Sequence, residues 1–187
     1  MSTPKPPRGA GSQSAPAGRN PSGEWVLLSY RLPREPSGPR TAVWRKLKRL
    51  GVAQISDGLV ALPSGARTRE QLEWVSEEVI DAGGMATIWL ARPATRAQEE
   101  QLARTMATAR AAEYAAVATA AADAIGEPDT SASTVRRLRN ELRQIQRRDY
   151  FPPGERDHAE AAIRALAGLS SNVDAGAAPH EDRAATT

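Results

Sequence analysis

The chain has 187 residues, 40% of them apolar, and 25 Lys and Arg against 22 Asp and Glu, for a formal charge of +3. Four Trp, three Tyr and one Phe leave a small aliphatic core, enough for one domain with a helical appendage. There is no cysteine, which excludes disulfide frameworks, thiolate zinc sites and cysteine nucleophiles, and two histidines leave little for imidazole chemistry.

Residues 1–23 are rich in Pro, Gly, Ser and Ala, carry Lys5, Arg8 and Arg19 and hold no acid, so they read as a disordered basic tail. That stretch lacks the apolar run of a secretory leader, and no later segment approaches the roughly 20 apolar residues of a membrane span. The expectation is a soluble, cytoplasmic protein without membrane contact.

"WVLLSYRL", Trp25 to Leu32, alternates so that Val26, Leu28, Tyr30 and Leu32 share a face, and Pro33 stops it: a first strand. "EPSGPRTAVWRKLKRLG" offers Ser37 or Gly38 as cap, Pro39 near the first helical position and Gly51 as a C-terminal stop, which predicts a helix. "VAQIS" and "LVALP" flank Asp57-Gly58, a dipeptide suited to the positive φ of a tight hairpin turn. In "TREQLEWVSEEVIDAGG", Leu72, Val75 and Val79 recur at helical spacing, with Thr68 as expected cap and Gly83-Gly84 as end. "MATIWLARP" supplies a last strand, stopped by Pro93.

The order β-α-β-β-α-β, with right-handed crossovers, predicts a four-stranded antiparallel sheet with both helices on one face, the ferredoxin-like architecture. The fold class expected is α+β: this domain over residues 24–93, followed by a helical C-terminal extension over 94–169. A helix is expected from Arg96 to Ile125, stopped by Pro128. Val135, Leu138, Leu142 and Ile145 form one apolar stripe of a second helix, and Ala159, Ile163 and Leu166 one of a third. Residues 170–187 read as a second loose tail.

Two basic stretches could carry function. On a helical wheel Val43, Trp44, Leu47 and Leu50 cluster on one side of the first helix and Arg45, Lys46, Lys48 and Arg49 on the other, and no acid occurs from Pro36 to Ser56. Uncompensated cations on one helix attract phosphate, which makes Arg40, Arg45, Lys46, Lys48 and Arg49 the candidate nucleic-acid-binding residues; a solvated face is the alternative. Trp44 reads as core or rim rather than as a base-stacking platform. The later helix sets Arg136, Arg137, Arg139, Arg143, Arg147 and Arg148 against the single acid Glu141. The forked guanidinium suits tetrahedral oxyanions, so Arg136, Arg137, Arg139, Arg143 and Arg147 are anion-binding candidates. Alternatively, they pair with Glu70, Glu73, Glu77, Glu78 and Asp81 of the second helix.

"GERDHAEAA" gathers Glu155, Asp157, His158 and Glu160 but lacks the spacing of a zinc helix or a calcium loop, so no metal site is expected. Neither a nucleophile elbow nor a glycine-rich phosphate loop is present, so no catalytic residue, cofactor or enzymatic activity is expected.

"WVLLSYRLPREPSGPRTAVWRKLKRLGVAQISDGLVALP", "REQLEWVSEEVIDAGG", "IWLARP" and "RRLRNELRQIQRRDYF" resemble the N-terminal region of the chromate resistance protein ChrB family, over about Trp25 to Leu169. The resemblance implies a bacterial cytoplasmic regulator that controls a chromate efflux operon in response to chromate; together with the basic first helix it leads to the expectation of DNA as partner and of a homodimer formed through the open sheet face or the late helices. The first domain is also similar to the middle domain of PaaX-type repressors and to small CRISPR-associated ferredoxin-like proteins. Those nucleases place an acid near the end of the first strand, where this chain has Tyr30, Arg31, Leu32 and Pro33, which argues against metal-dependent nuclease work. There is no recognisable helix-turn-helix, so DNA binding rests on the basic surface. The full-length family adds a C-terminal domain, and chromate sensing by that domain is not carried over to this chain. The alternative is a non-DNA accessory protein that binds an oxyanion or a protein partner through its Arg-rich helices.

Overall fold

The computed structural model describes residues 23–125 and 132–176, with side chains to residue 169. The elements run β1 (Trp25–Arg31), α1 (Ser37–Leu50), β2 (Ala53–Ser56), β3 (Leu59–Pro63), α2 (Ala66–Asp81), β4 (Met85–Ala91), α3 (Arg96–Ile125), α4 (Ala132–Gln146) and α5 (Glu155–Gly176). The protein is of mixed α+β type: one antiparallel four-stranded sheet and five helices among the described residues. Residues 1–22, Pro128 and residues 177–187 lie outside the described residues. α5 continues to Gly176, past Ser170 where the second tail is expected to begin.

The strands lie in the order β2-β3-β1-β4. β1 is thus interior, paired antiparallel with β3 and with β4, which is why its sequence is nearly continuously apolar at "WVLL". The register sets Val26 opposite Leu62 and Leu28 opposite Val60, and all four are buried. Trp25 faces the other way, and its ring stacks on Phe151 at 5.9 Å between centroids. The Asp57-Gly58 turn forms as expected, with Gly58 at φ +74. A side chain at Gly58 would meet the Tyr30 carbonyl oxygen at 2.4 Å, and the Gly58 carbonyl accepts from the Tyr30 amide at 2.7 Å, so the hairpin end is pinned to β1.

α1 ends on Gly51 in the left-handed conformation at φ +71, as the sequence implies, but it begins one step earlier than expected: Pro36 is the cap and Ser37 is helical. Pro39 then sits in the first turn, where its missing amide donor costs nothing. Thr68 is not the cap of α2. Gly65 is, and the buried Thr68 hydroxyl donates to the carbonyls of Pro63 (2.7 Å) and Gly65 (3.0 Å), tying the first turn to the end of β3. α2 packs on β1, β4 and α1, burying Leu72, Val75 and Val79. Each such side chain contributes roughly 1.5–3 kcal/mol on leaving water.

Two apolar cores result. One joins the sheet, α1 and α2 with Met106 and Phe151. The other fills the space between α3, α4 and α5, with Tyr114, Val117, Val135, Leu138, Ile145, Ile163 and Leu166. The expected stripes of α4 and α5 are therefore buried as written. α3 serves both cores, its Leu102 and Met106 in the first and Tyr114 onward in the second.

Candidate nucleic-acid and anion-binding surfaces

The five cations expected to act together on α1 are separated by their contacts. Arg40, in the first part of the helix, donates from Nη2 to the Pro33 carbonyl at 2.9 Å and lines a shallow groove with Arg31 and Arg34. A helix rises about 1.5 Å per residue, which puts Arg40 about 13 Å along the axis from Arg49. Lys46 is ion-paired with Glu78 of α2. Lys48 lies over the Trp44 ring, its ammonium 4.2 Å from the centroid. Arg45 and Arg49 are exposed, and their side chains hold no acceptor among the described residues. Trp44, expected in the core or at its rim, is at the rim with 48% of its surface exposed.

Arg136, Arg137, Arg139 and Arg143 stand on the exposed side of α4, opposite the buried Val135, Leu138, Leu142 and Ile145, and the exposed Arg147 follows in the turn just after the helix. Arg137 reaches Glu141 of its own helix at 3.7 Å, and Arg143 donates to Asn140. Within the chain, these arginines do not pair with the acidic residues of α2 among the described residues. α4 packs on α3 and α5, while Glu78 pairs with Lys46 and Glu73 with Arg69.

A third basic constellation, not anticipated, lies where α1, β2 and β3 meet α3 and the segment after α4. A cleft of about 350 Å³ there is lined by Tyr30, Trp44, Lys48, Arg110, Glu113 and Arg148, among others. Glu113 divides its carboxylate: Oε1 accepts from Arg110 Nη2 and Oε2 from Arg148 Nη2, each at 3.1 Å. Arg148 Nη1 donates to the Lys48 carbonyl in the last turn of α1 at 3.1 Å. The Tyr150 hydroxyl donates to the Leu50 carbonyl at 3.4 Å, so the C-terminal end of α1 is fastened to the helical unit at two points. Behind the cleft, the Tyr114 hydroxyl donates to Asp149 Oδ2 at 2.8 Å. Burial, then that bond, pushes the Tyr114 hydroxyl pKa above its ordinary value. Burial lowers the pKa of Arg110; Glu113 opposes the shift and Arg148 adds to it.

Sequence reasoning missed Arg110, Glu113 and Tyr114 because it read their helix only as a run of helix formers. A signal was present: "ATARAAEYAAVATAAA" sets one Arg, one Glu and one Tyr, spaced by three and one, into an otherwise alanine-rich helix. On the sheet, where a homodimer contact is one expectation, Ile55, Met85 and Trp89 are exposed. No described helix is long and apolar enough to cross a membrane.

A basic-helix sheet joined to an arginine-bearing three-helix unit defines an α+β protein whose cations face outward on two helices and inward at one cleft. The chain belongs to the ChrB family: the family model described as Protein ChrB, N-terminal matches residues 40–174, from within α1 to within α5. The resemblance read from the sequence is thereby confirmed, and membership points to a chromate-resistance protein. β1 lies ahead of the matched stretch. No curated protein matches the chain.

Proposed function

We propose that the chain is a chromate-responsive transcriptional regulator of a chromate efflux operon, acting in the cytoplasm without enzymatic activity and contacting the DNA backbone through α1. Family membership supports the chromate connection. The observation that carries the DNA contact is the acid-free α1 with exposed Arg45 and Arg49, whose side chains meet no acceptor among the described residues. Arg31, Arg34 and Arg40 extend the same sign of charge around its N-terminal end. Such a surface is suited to phosphates, which need positive charge but no base-specific geometry. We also infer a ferredoxin-like arrangement for the sheet unit, supported by the strand order β2-β3-β1-β4 with one helix between β1 and β2 and another between β3 and β4.

The test is fluorescence anisotropy of labelled duplex from the gene's own upstream region, against scrambled duplex, over a salt series with and without chromate. The expected result is sequence-preferring binding that chromate releases. Replacing Arg45 and Arg49 with Ala should reduce the slope of log affinity against log salt by about 2, near 0.9 for each phosphate no longer neutralised. An unchanged slope and affinity would remove α1 as the DNA surface.

The second reading is a non-DNA accessory protein that binds an oxyanion or an acidic protein partner through α4. The exposure of Arg136, Arg137, Arg139, Arg143 and Arg147 favours it. Loss of DNA binding on neutralising α4 but not α1 would instead move the DNA contact to α4.

A further inference from the structure

We propose that the cleft between α1 and α3 is a binding site for a small tetrahedral oxyanion, seated between the guanidinium groups of Arg110 and Arg148 with Lys48 at its mouth. This goes beyond the DNA-binding reading and does not depend on it.

The first observation is unused donor capacity. Arg110 is only 9% exposed, and its Nε and Nη1 have no acceptor. Arg148 Nε is buried and likewise without one. A buried charged donor without an acceptor loses its hydration and regains nothing, so native structures rarely leave one unmatched unless a further group completes it.

The second is charge. Three cations, Lys48, Arg110 and Arg148, line the cleft against one carboxylate, Glu113. Glu113 is already shared between both guanidiniums, so neither is fully neutralised. Asp149, the other nearby acid, does not line the cleft and gives one oxygen to Tyr114. A dianion would bring the four side chains and itself to neutrality.

The third is shape. A side chain at Gly51 would come within 2.7 Å of Arg110 Nη1 and 3.0 Å of the Arg148 carbonyl oxygen, so the bare backbone of the α1 cap is what lets the chain pass over the guanidinium. With Arg148 Nη1 and Nη2 and Arg110 Nη2 already donating, the unmatched donors are Arg110 Nε and Nη1 and Arg148 Nε, and charge-assisted donors of this kind suit the oxygens of a sulfate- or phosphate-like group. A cleft of about 350 Å³ admits such an ion with hydrating water. Because Arg148 also holds the Lys48 carbonyl, the anion's seat includes the residue that anchors the end of α1.

The experiment is calorimetric titration of the full chain with sodium sulfate and, separately, sodium phosphate, each against sodium chloride of matched ionic strength, with thermal unfolding followed in the same buffers. Both oxyanions should bind saturably with one site and raise the unfolding temperature beyond chloride. Glu113→Gln keeps the side chain's shape and removes the competing charge, and it should tighten sulfate binding by about tenfold, a charge-assisted contact's worth. Lys48→Ala, at an exposed position, should weaken binding severalfold without affecting folding. Arg110→Gln should abolish binding; its folding is checked separately by circular dichroism. No saturable binding beyond chloride would overturn the proposal, as would sulfate affinity that Glu113→Gln and Lys48→Ala both leave unchanged; trapped water would then account for the Arg110 donors.

Discussion

α1 and α4 are both basic amphipathic helices, and they dispose of their charge differently. On α1, Arg40 is bound to a backbone carbonyl, Lys46 to Glu78 and Lys48 to the Trp44 ring, leaving Arg45 and Arg49. On α4 and in the turn after it, the side chains of Arg136, Arg139 and Arg147 meet no acceptor among the described residues, and the contacts of Arg137 and Arg143 stay within the helix. The neighbour each helix packs beside accounts for the one pairing that crosses between helices, Lys46 with Glu78. α1 lies against the acidic α2, whereas α4 lies on α3 and α5 through an aliphatic stripe that offers its arginines nothing. Counting cations along a helix therefore measures charge, not the charge available to a partner.

The strongest way to break that comparison is to remove the stripe. Leu138 is fully buried between α3 and α5. Leu138→Ala should lower the free energy of unfolding in urea by about 2–5 kcal/mol, the range for a buried leucine. A loss below about 1 kcal/mol would mean that α4 is not held outward by its apolar side.

The junction behind the cleft gives a smaller and pH-dependent effect. The Tyr114 hydroxyl is neutral at pH 7, and its pKa in the fold lies above the ordinary 10.0. The folded chain then keeps a proton that the unfolded chain releases, so the stability from this group is fully present below about pH 10 and declines as pH rises above it. Tyr30 and Tyr150 are shifted in the same direction, chiefly by burial. Tyr114→Phe should cost about 1–3 kcal/mol at neutral pH through removal of the bond to Asp149. It should also make the alkaline decline shallower. Unfolding followed from pH 7 to 11 checks both, and an unaltered alkaline limb would show that Tyr114 does not couple to folding.

The smallest effect sharpens the contrast within α1. Lys46→Ala should change stability by only about 0–1 kcal/mol, since its pair with Glu78 is partly exposed. It should also alter the salt dependence of DNA binding less than Arg45→Ala does. Equal effects would show that Glu78 releases Lys46 to the phosphates.

Much of the fold was legible because local rules and packing agreed. The hairpin at Asp57-Gly58, the stop at Gly51 and the stripe from Val135 to Ile145 each need only a few neighbouring residues, and each appears where expected. The cap of α2 was misread because Thr68 has two uses for its hydroxyl, and the end of β3 lay close enough to take it. α5 runs on to Gly176, through residues in which the sequence shows no apolar periodicity to mark a helix.

By itself, the sequence determined the strand and helix order, the apolar faces, the absence of thiol chemistry and the concentration of cations on two helices. These follow from periodicity, turn residues and composition, which act over a few residues. Only the tertiary structure decided which cations remain free: Glu78 reaches Lys46 from α2 and the Pro33 carbonyl reaches Arg40 from the end of β1, while the Lys48 contact with Trp44 is made within α1. It alone brought Lys48, Arg110 and Arg148 to one cleft, from three segments up to 100 residues apart. Charge compensation is a matter of distances of a few ångströms between side chains, and those distances exist only after the chain has folded.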